Sequence, residues 1–169
     1  MPSAVTWDVP LLEHHPEPGR GALTVINDLQ EGLPFSPTRL FWLTGLQPGM
    51  TRGGPAHKRQ SQPFSVLHGA ASFSLYNQAG QHEVVRLDRG VQLLALGPLV
   101  WVTLMEFAPG TVVLAMADGP YDEQDYLRPE EAFRQYRAPE PPPAVAPAPE
   151  PTTSDRQRRP RRATPVAEP

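Results

Sequence analysis

Between Ala22 and Ala117 the chain is cut into eight short runs rich in Val, Leu, Phe and Thr, with Gly or Pro in the gaps. The spacing predicts strands at 22–27, 39–44, 64–68, 71–76, 82–87, 91–96, 100–106 and 111–117. β-branched and aromatic residues fit a pleated, half-buried surface, while Gly and Pro punctuate it. Asn77-Gln-Ala-Gly80 and Ala108-Pro-Gly110 have hairpin-turn chemistry. Short strands at so regular a spacing predict an all-β sandwich or barrel.

One segment carries helix signals. Arg128-Pro-Glu-Glu-Ala-Phe-Arg-Gln-Tyr-Arg137 has Pro near its start, acids in its first turn and Arg at its end. That order suits the orphan amides and dipole of a helix, so a short C-terminal helix is expected to pack Phe133, with Tyr136 beside it, on the barrel. Composition then sets the boundaries. Hydrophobic content is 39%, below the roughly 45–50% of globular domains, and 10 of the 23 prolines fall between Ala138 and Pro169. A segment so composed cannot bury enough apolar area to offset the entropy of ordering it. The expected organisation is an N-terminal arm at 1–19, a domain at 20–137, and a disordered Pro/Arg-rich tail at 138–169. The five arginines of Arg156–Arg162 either touch an acidic partner or keep the tail soluble.

Net charge is -3, which argues against a nucleic-acid partner. No apolar run reaches the roughly 18–20 residues of a membrane helix, and the first residues lack the charged and apolar regions of a secretory signal. Cysteine is absent, so no disulfide framework or thiolate site exists. A cytoplasmic protein without membrane partners is the expectation.

The chemistry concentrates in Gly49-Met-Thr-Arg52-Gly-Gly-Pro55-Ala-His57-Lys-Arg-Gln-Ser-Gln62, followed by Gly69. Its spacing resembles the first cupin motif: Gly, five residues, His-x-His, three or four residues, Glu, six residues, Gly. Residues two apart on a strand share a face, so positions 55 and 57 are expected to look inward, with Gln62 joining from the next strand. The fold implied is a double-stranded β-helix, the cupin jelly roll. A divalent ion there wants about three or four His or carboxylate ligands. This stretch offers His57, a ring-locked Pro55 and a neutral Gln62, and Val102 stands where a second motif would add His. No metal and no cofactor is expected.

A narrower resemblance follows. Arg20-Gly-Ala-Leu23, Arg39-Leu-Phe41-Trp42, Arg52-Gly-Gly-Pro-Ala-His57-Lys58, Gly97-Pro-Leu-Val-Trp101 and Tyr121-Asp-Glu-Gln-Asp-Tyr-Leu-Arg128 are, in order, similar to stretches of the dTDP-4-keto-6-deoxyglucose 3,4-ketoisomerases. The resemblance spans about Arg20 to Arg134. It implies a dTDP-linked sugar as ligand, His57 as acid/base, and Arg52 on the diphosphate. Arg20, Arg39, Gln62, Trp42 and Trp101 are implied as further substrate-binding residues. It also implies a homodimer, with an arm around residues 9–12 exchanged between subunits.

Several positions depart from that family. Pro55 replaces the first histidine of the pair, Phe41 and Trp42 replace hydroxyl-bearing tyrosines, and Val102-Thr103 replace a polar residue and Glu. All remove proton-transfer or hydrogen-bonding groups, so impaired or lost isomerase chemistry is expected. Each residue has a second reading: His57 as a packed histidine, Arg52 as the partner of a carboxylate such as Glu106, Trp101 as a core anchor, and Tyr121, Asp122, Asp125 and Tyr126 as fasteners of the last turn. His68 reads as a solvent-facing strand end. Three function classes stay open: a sugar-nucleotide isomerase, a non-catalytic binding module, and a metal-dependent cupin.

Overall fold

A computed structural model of the chain describes residues 7–26, 36–88 and 90–137. The chain divides into two units, 1–138 and 139–169. The second unit, with nearly all of the expected tail, lies outside the described residues, as do Asn27 and the first six residues of the arm.

The described elements, in order, are β1 (Trp7–Asp8), β2 (Glu13–Glu17), β3 (Gly21–Val25), β4 (Arg39–Leu43), β5 (Arg52–Gly53), β6 (Ala56–His57), β7 (Phe64–His68), β8 (Ala71–Asn77), β9 (His82–Leu87), β10 (Ala95–Leu96), β11 (Val100–Met105) and β12 (Val112–Ala117). A 3-10 turn (Glu123–Asp125), β13 (Tyr126–Leu127) and α1 (Glu130–Gln135) close the domain. Two main sheets run β5-β11-β8-β9 and β4-β12-β7, every pairing antiparallel. This is the expected all-β jelly roll with one short helix.

Period-2 alternation builds the core. Along β8, Ala71, Phe73 and Leu75 are fully buried, while Ser72, Ser74 and Tyr76 take the other face. On β11 Val100, Val102 and Leu104 join them, and Val66, Val113 and Ala115 come from the facing sheet. Each large apolar side chain so buried contributes roughly 1.5–3 kcal/mol. A second, smaller core lies on the opposite face of β11. There Trp101 stacks on its cross-strand partner Tyr76 at 5.9 Å, and α1 delivers Phe133 between them, 5.6 Å from each ring. The helix is shorter than the expected span, but its chemistry is as read: Pro129 precedes it, Glu130 and Glu131 fill its first turn, and Arg134 its last.

Two segments differ from expectation. The run 91–96 forms a strand only at its end, because its backbone is shared between two neighbours. Leu12 and Pro10 of the arm bond Val91 and Leu93, whereas Leu94 exchanges both bonds with Phe64. Residues 7–12 thus pair with 91–96 of the same chain. Residues 13–17 read as polar arm but form β2, hydrogen-bonded to β3. All five are exposed, so the strand left no hydrophobic alternation in the sequence.

Gly69, the last glycine of the first motif, holds φ at +77° on the turn from β7 to β8. A Cβ there would lie 2.9 Å from the backbone of Thr111 and closer still to its hydroxyl. That hydroxyl accepts from the Ala70 amide and donates to the Ala108 carbonyl. Gly69→Ala is therefore expected to destabilise the domain by more than about 1 kcal/mol, read as a lower urea midpoint at unchanged slope.

Candidate active site

The short strand β6 divides two environments. Neighbouring residues on a strand face opposite ways, so Ala56 enters the Trp101–Phe133 core while His57 points to the other side. His57 is 5% exposed. It meets Tyr126, its cross-strand partner on β13, at a ring separation of 4.4 Å. Its Nδ1 lies 3.0 Å from Asp125 Oδ2.

Asp125 is fully buried. Besides His57 its carboxylate accepts the backbone amides of Arg59 at 3.0 Å and Gln60 at 3.3 Å, and the Arg59 guanidinium stands 3.4 Å away. A carboxylate so satisfied only accepts, so the imidazole proton resides on Nδ1 and Nε2 is left as a lone pair. Nε2 is buried and has no hydrogen-bond partner. Burial is the main cause that holds the His57 pKa below its usual value. Asp125 opposes that effect, while Arg39 and Arg128 add to it. The ring is therefore neutral at pH 7, the form a general base needs.

The surroundings of the ring are cationic and aromatic. Arg39 lies at the start of β4, on the face shared with Phe41 and Leu43, 5.3 Å over the Phe41 ring and 5.8 Å over that of Tyr121. One of its terminal nitrogens is within 3.5 Å of Gln60 Oε1, and its Nε is buried without a partner. Arg128 sits 4.3 Å over the Tyr126 ring. The Tyr121 hydroxyl donates to Glu123.

The other sequence-picked residues are more dispersed. Arg52 occupies the edge strand β5 opposite Leu104. It is exposed, and no hydrogen bond or ion pair holds it among the described residues; Glu106 instead accepts from Ser72 at 2.6 Å. Its neighbour Gly53 has φ +85°, and a Cβ there would lie 2.7 Å from the Val102 carbonyl oxygen. Gln62 is half-buried and its backbone N–H donates to the Leu96 carbonyl. Trp101 is 8% exposed inside the aromatic core. Trp42 lies on the face of β4 opposite Arg39, 67% exposed. Arg20 stands at the β2–β3 turn in an ion pair with Glu17. Within one chain, then, His57 and Arg39 come together, and Arg20 and Trp42 face solvent elsewhere. Among the described residues no group of three or more His, Asp or Glu is arranged to hold a metal.

Asp125, Gln60, Tyr126 and Arg128 were not singled out as site residues by the sequence. The trace of Asp125, Tyr126 and Arg128 was the Tyr121–Arg128 segment, whose density of acids and tyrosines also suits a turn, and Gln60 lay inside the Gly49–Gln62 stretch. Asp125 does both jobs: it fastens the 58–60 backbone and it holds the histidine.

A jelly roll that carries a buried His–Asp pair beside arginine and tyrosine is a cupin with a candidate acid–base site. Residues 8–138 match the family model described as "FdtA: WxcM-like, C-terminal". A TDP-4-oxo-6-deoxy-alpha-D-glucose-3,4-oxoisomerase of Aneurinibacillus thermoaerophilus is 30% identical over 119 residues, 70% of this chain and 84% of the relative. Among solved structures, the sugar 3,4-ketoisomerase QdtA of Thermoanaerobacterium thermosaccharolyticum, in complex with TDP, superposes with a TM-score of 0.72 at 26% identity, covering 78% of this chain and 94% of QdtA. A 3,4-ketoisomerase from Helicobacter canadensis gives 0.70 at 25% identity, covering 76% and 94%. The chain belongs to the FdtA (WxcM-like, C-terminal) family.

Two outcomes follow for this site. Asp125→Asn presents an amide to groups that are themselves donors, and each charged hydrogen bond lost costs about 1.5–3 kcal/mol; chemical denaturation is expected to show a loss of at least that size. The second concerns pH. Because the folded His57 pKa is lowered, the unfolded chain takes up this proton first as pH falls below about 6.5. Stability attached to His57 is therefore present above that pH and lost on acidification toward the folded pKa. His57→Asn, whose amide can still donate to Asp125, is expected to flatten that part of the melting-temperature profile relative to the unmodified chain.

Proposed function

We propose that the chain binds a TDP-linked 4-keto-6-deoxyhexose beside His57 and moves its carbonyl between C4 and C3, more slowly than an isomerase with two histidines. The observation that carries this reading is His57 itself: a buried neutral imidazole, oriented by a buried carboxylate, with an unpartnered nitrogen. Buried polar atoms are nearly always satisfied, so an orphaned Nε2 among cations fits an absent polar ligand. The family supports the ligand class, since QdtA is described in complex with TDP, and a histidine-to-asparagine variant of it with TDP-4-keto-6-deoxyglucose.

In this reading His57 removes the C3 proton, the neighbouring arginines stabilise the enediolate, and Asp125 keeps Nε2 as the reactive nitrogen. Arg52, exposed on its edge strand, takes the diphosphate. Arg39 and Gln62 contact the sugar, and Trp101 supports the wall from behind. Arg20 and Trp42 reach a ligand only in a homodimer, whereas the arm at 9–12, expected to exchange between subunits, pairs with 91–96 of its own chain. A cytoplasmic setting suits a nucleotide-sugar substrate and a chain without cysteine. Pro55, Val102 and Thr103 lower the rate, because loss of one acid–base partner typically costs about 10²–10⁴-fold. Those positions also favour the second reading, a module that binds without turnover.

Calorimetric titration of the full chain with dTDP tests the ligand class. Micromolar binding, weakened at least tenfold by Arg52→Ala, is expected. No heat at millimolar dTDP would sink the sugar-nucleotide reading. Binding without conversion of TDP-4-keto-6-deoxyglucose would leave the binding module.

A further inference from the structure

A cavity of about 380 Å³ lies on the flank of the domain, between the β8–β9 turn and the end of α1. That size falls within the roughly 300–1,000 Å³ of small-molecule sites. We propose that it binds a small aromatic carboxylate, whose ring lies against Tyr76 and Phe133 and whose oxyanion is held by Arg137. The site is separate from the one around His57, because β6 turns Ala56 toward the Trp101–Phe133 core on this side and His57 away from it. It stands whether or not the chain is an isomerase.

Both walls are fixed before any ligand arrives. Asn77 Oδ1 accepts the amides of Ala79 and Gln81, which fastens the turn. Gln78 then ties the turn to the helix, its side-chain amide donating to the Phe133 and Tyr136 carbonyls. Phe133 is buried, with its ring 5.6 Å from that of Tyr76. A pocket so braced has little freedom left to lose on binding, and that loss is a main cost of association.

Three observations choose the ligand. Arg137 is anchored by one nitrogen, Nη1, which donates to the Arg134 and Tyr136 carbonyls. Its Nε–Nη2 edge has no partner among the described residues, and a guanidinium edge takes an oxyanion with two parallel hydrogen bonds. Arg134 lies 5.6 Å over the Tyr76 ring and is paired with Glu130, so one uncompensated positive charge remains at the cavity. That charge matches a monoanion, and the Glu130 carboxylate disfavours a phosphate dianion. The Tyr76 hydroxyl is buried without a hydrogen-bond partner. Burial, and then Glu130, push its pKa up, so it keeps its proton. Buried donors are nearly always satisfied, and a carboxylate supplies the acceptor this one lacks. The rings of Tyr76 and Phe133 suit an aromatic body.

The test is an amide NMR titration of the full chain with 2-naphthoate, alongside the neutral 2-naphthamide and 2-naphthyl phosphate. Saturable shifts of the Asn77–Gly80, Tyr136 and Arg137 amides are expected with 2-naphthoate, none with the neutral amide, and weaker binding of the phosphate. Arg137→Gln, at an exposed position, is expected to keep the rest of the spectrum and to bind 2-naphthoate about tenfold more weakly, as the loss of a charged hydrogen bond dictates. Addition of dTDP is expected not to displace the probe. No shift in the turn at millimolar 2-naphthoate, equal binding of the neutral amide, or undiminished binding by Arg137→Gln would overturn the site. Tighter binding of the phosphate would overturn the carboxylate assignment, and displacement by dTDP would overturn the independence of the cavity from the His57 site.

Discussion

The site depends on the burial of one carboxylate. Asp125 is taken wholly out of water at the end of a 3-10 turn, which is tolerable only because the 58–60 backbone and the His57 ring converge on it as donors. A buried ionised group without such partners costs several kcal/mol. The same contacts that satisfy it therefore fix the path of the chain after β6, dock β13 against β6, and set the tautomer of His57. The local fold after β6 and the orientation of His57 share one set of hydrogen bonds, so neither can be altered alone.

Around that anchor the architecture supplies orientation. Two-residue periodicity sends Ala56 into the Trp101–Phe133 core and His57 away from it, so the packing of α1 on the outer face of β11 holds the strand that carries the histidine. Arg39 uses the same periodicity on β4, sharing a face with Phe41 while Leu40 and Trp42 point outward. A neutral imidazole beside two guanidinium groups is a stable arrangement, whereas an imidazolium there is opposed by burial and by both cations. The site thus disfavours the imidazolium form of His57.

Much of this was legible in the sequence where side-chain pattern reports local structure. Seven of the eight expected strands and the helix-end chemistry around Glu130 and Arg134 follow from local pattern, while 91–96 is a strand only at Ala95–Leu96. The motif spacing placed His57 inward. What the sequence concealed were long-range pairings. The partnership of His57 with Asp125 joins residues 68 positions apart, and the acids and tyrosines at 121–128 suited a turn as well as a site. The split loyalty of 91–96 to two neighbours was equally silent, because apolar content does not say which strand will receive a hydrogen bond. Residues 13–17 escaped because a strand exposed on all five positions carries no amphipathic signature.

The pair Arg52–Gly53 has an evolutionary consequence. Gly53 is wedged against the Val102 carbonyl, where any side chain would collide with backbone, whereas the arginine beside it is exposed. Relaxed selection on such a gene would therefore erase its two neighbours at different speeds: the arginine could drift without disturbing the sheet, while the glycine would be kept by packing alone. An intact glycine at this place testifies to a fold, and the arginine beside it is the better witness to a living ligand.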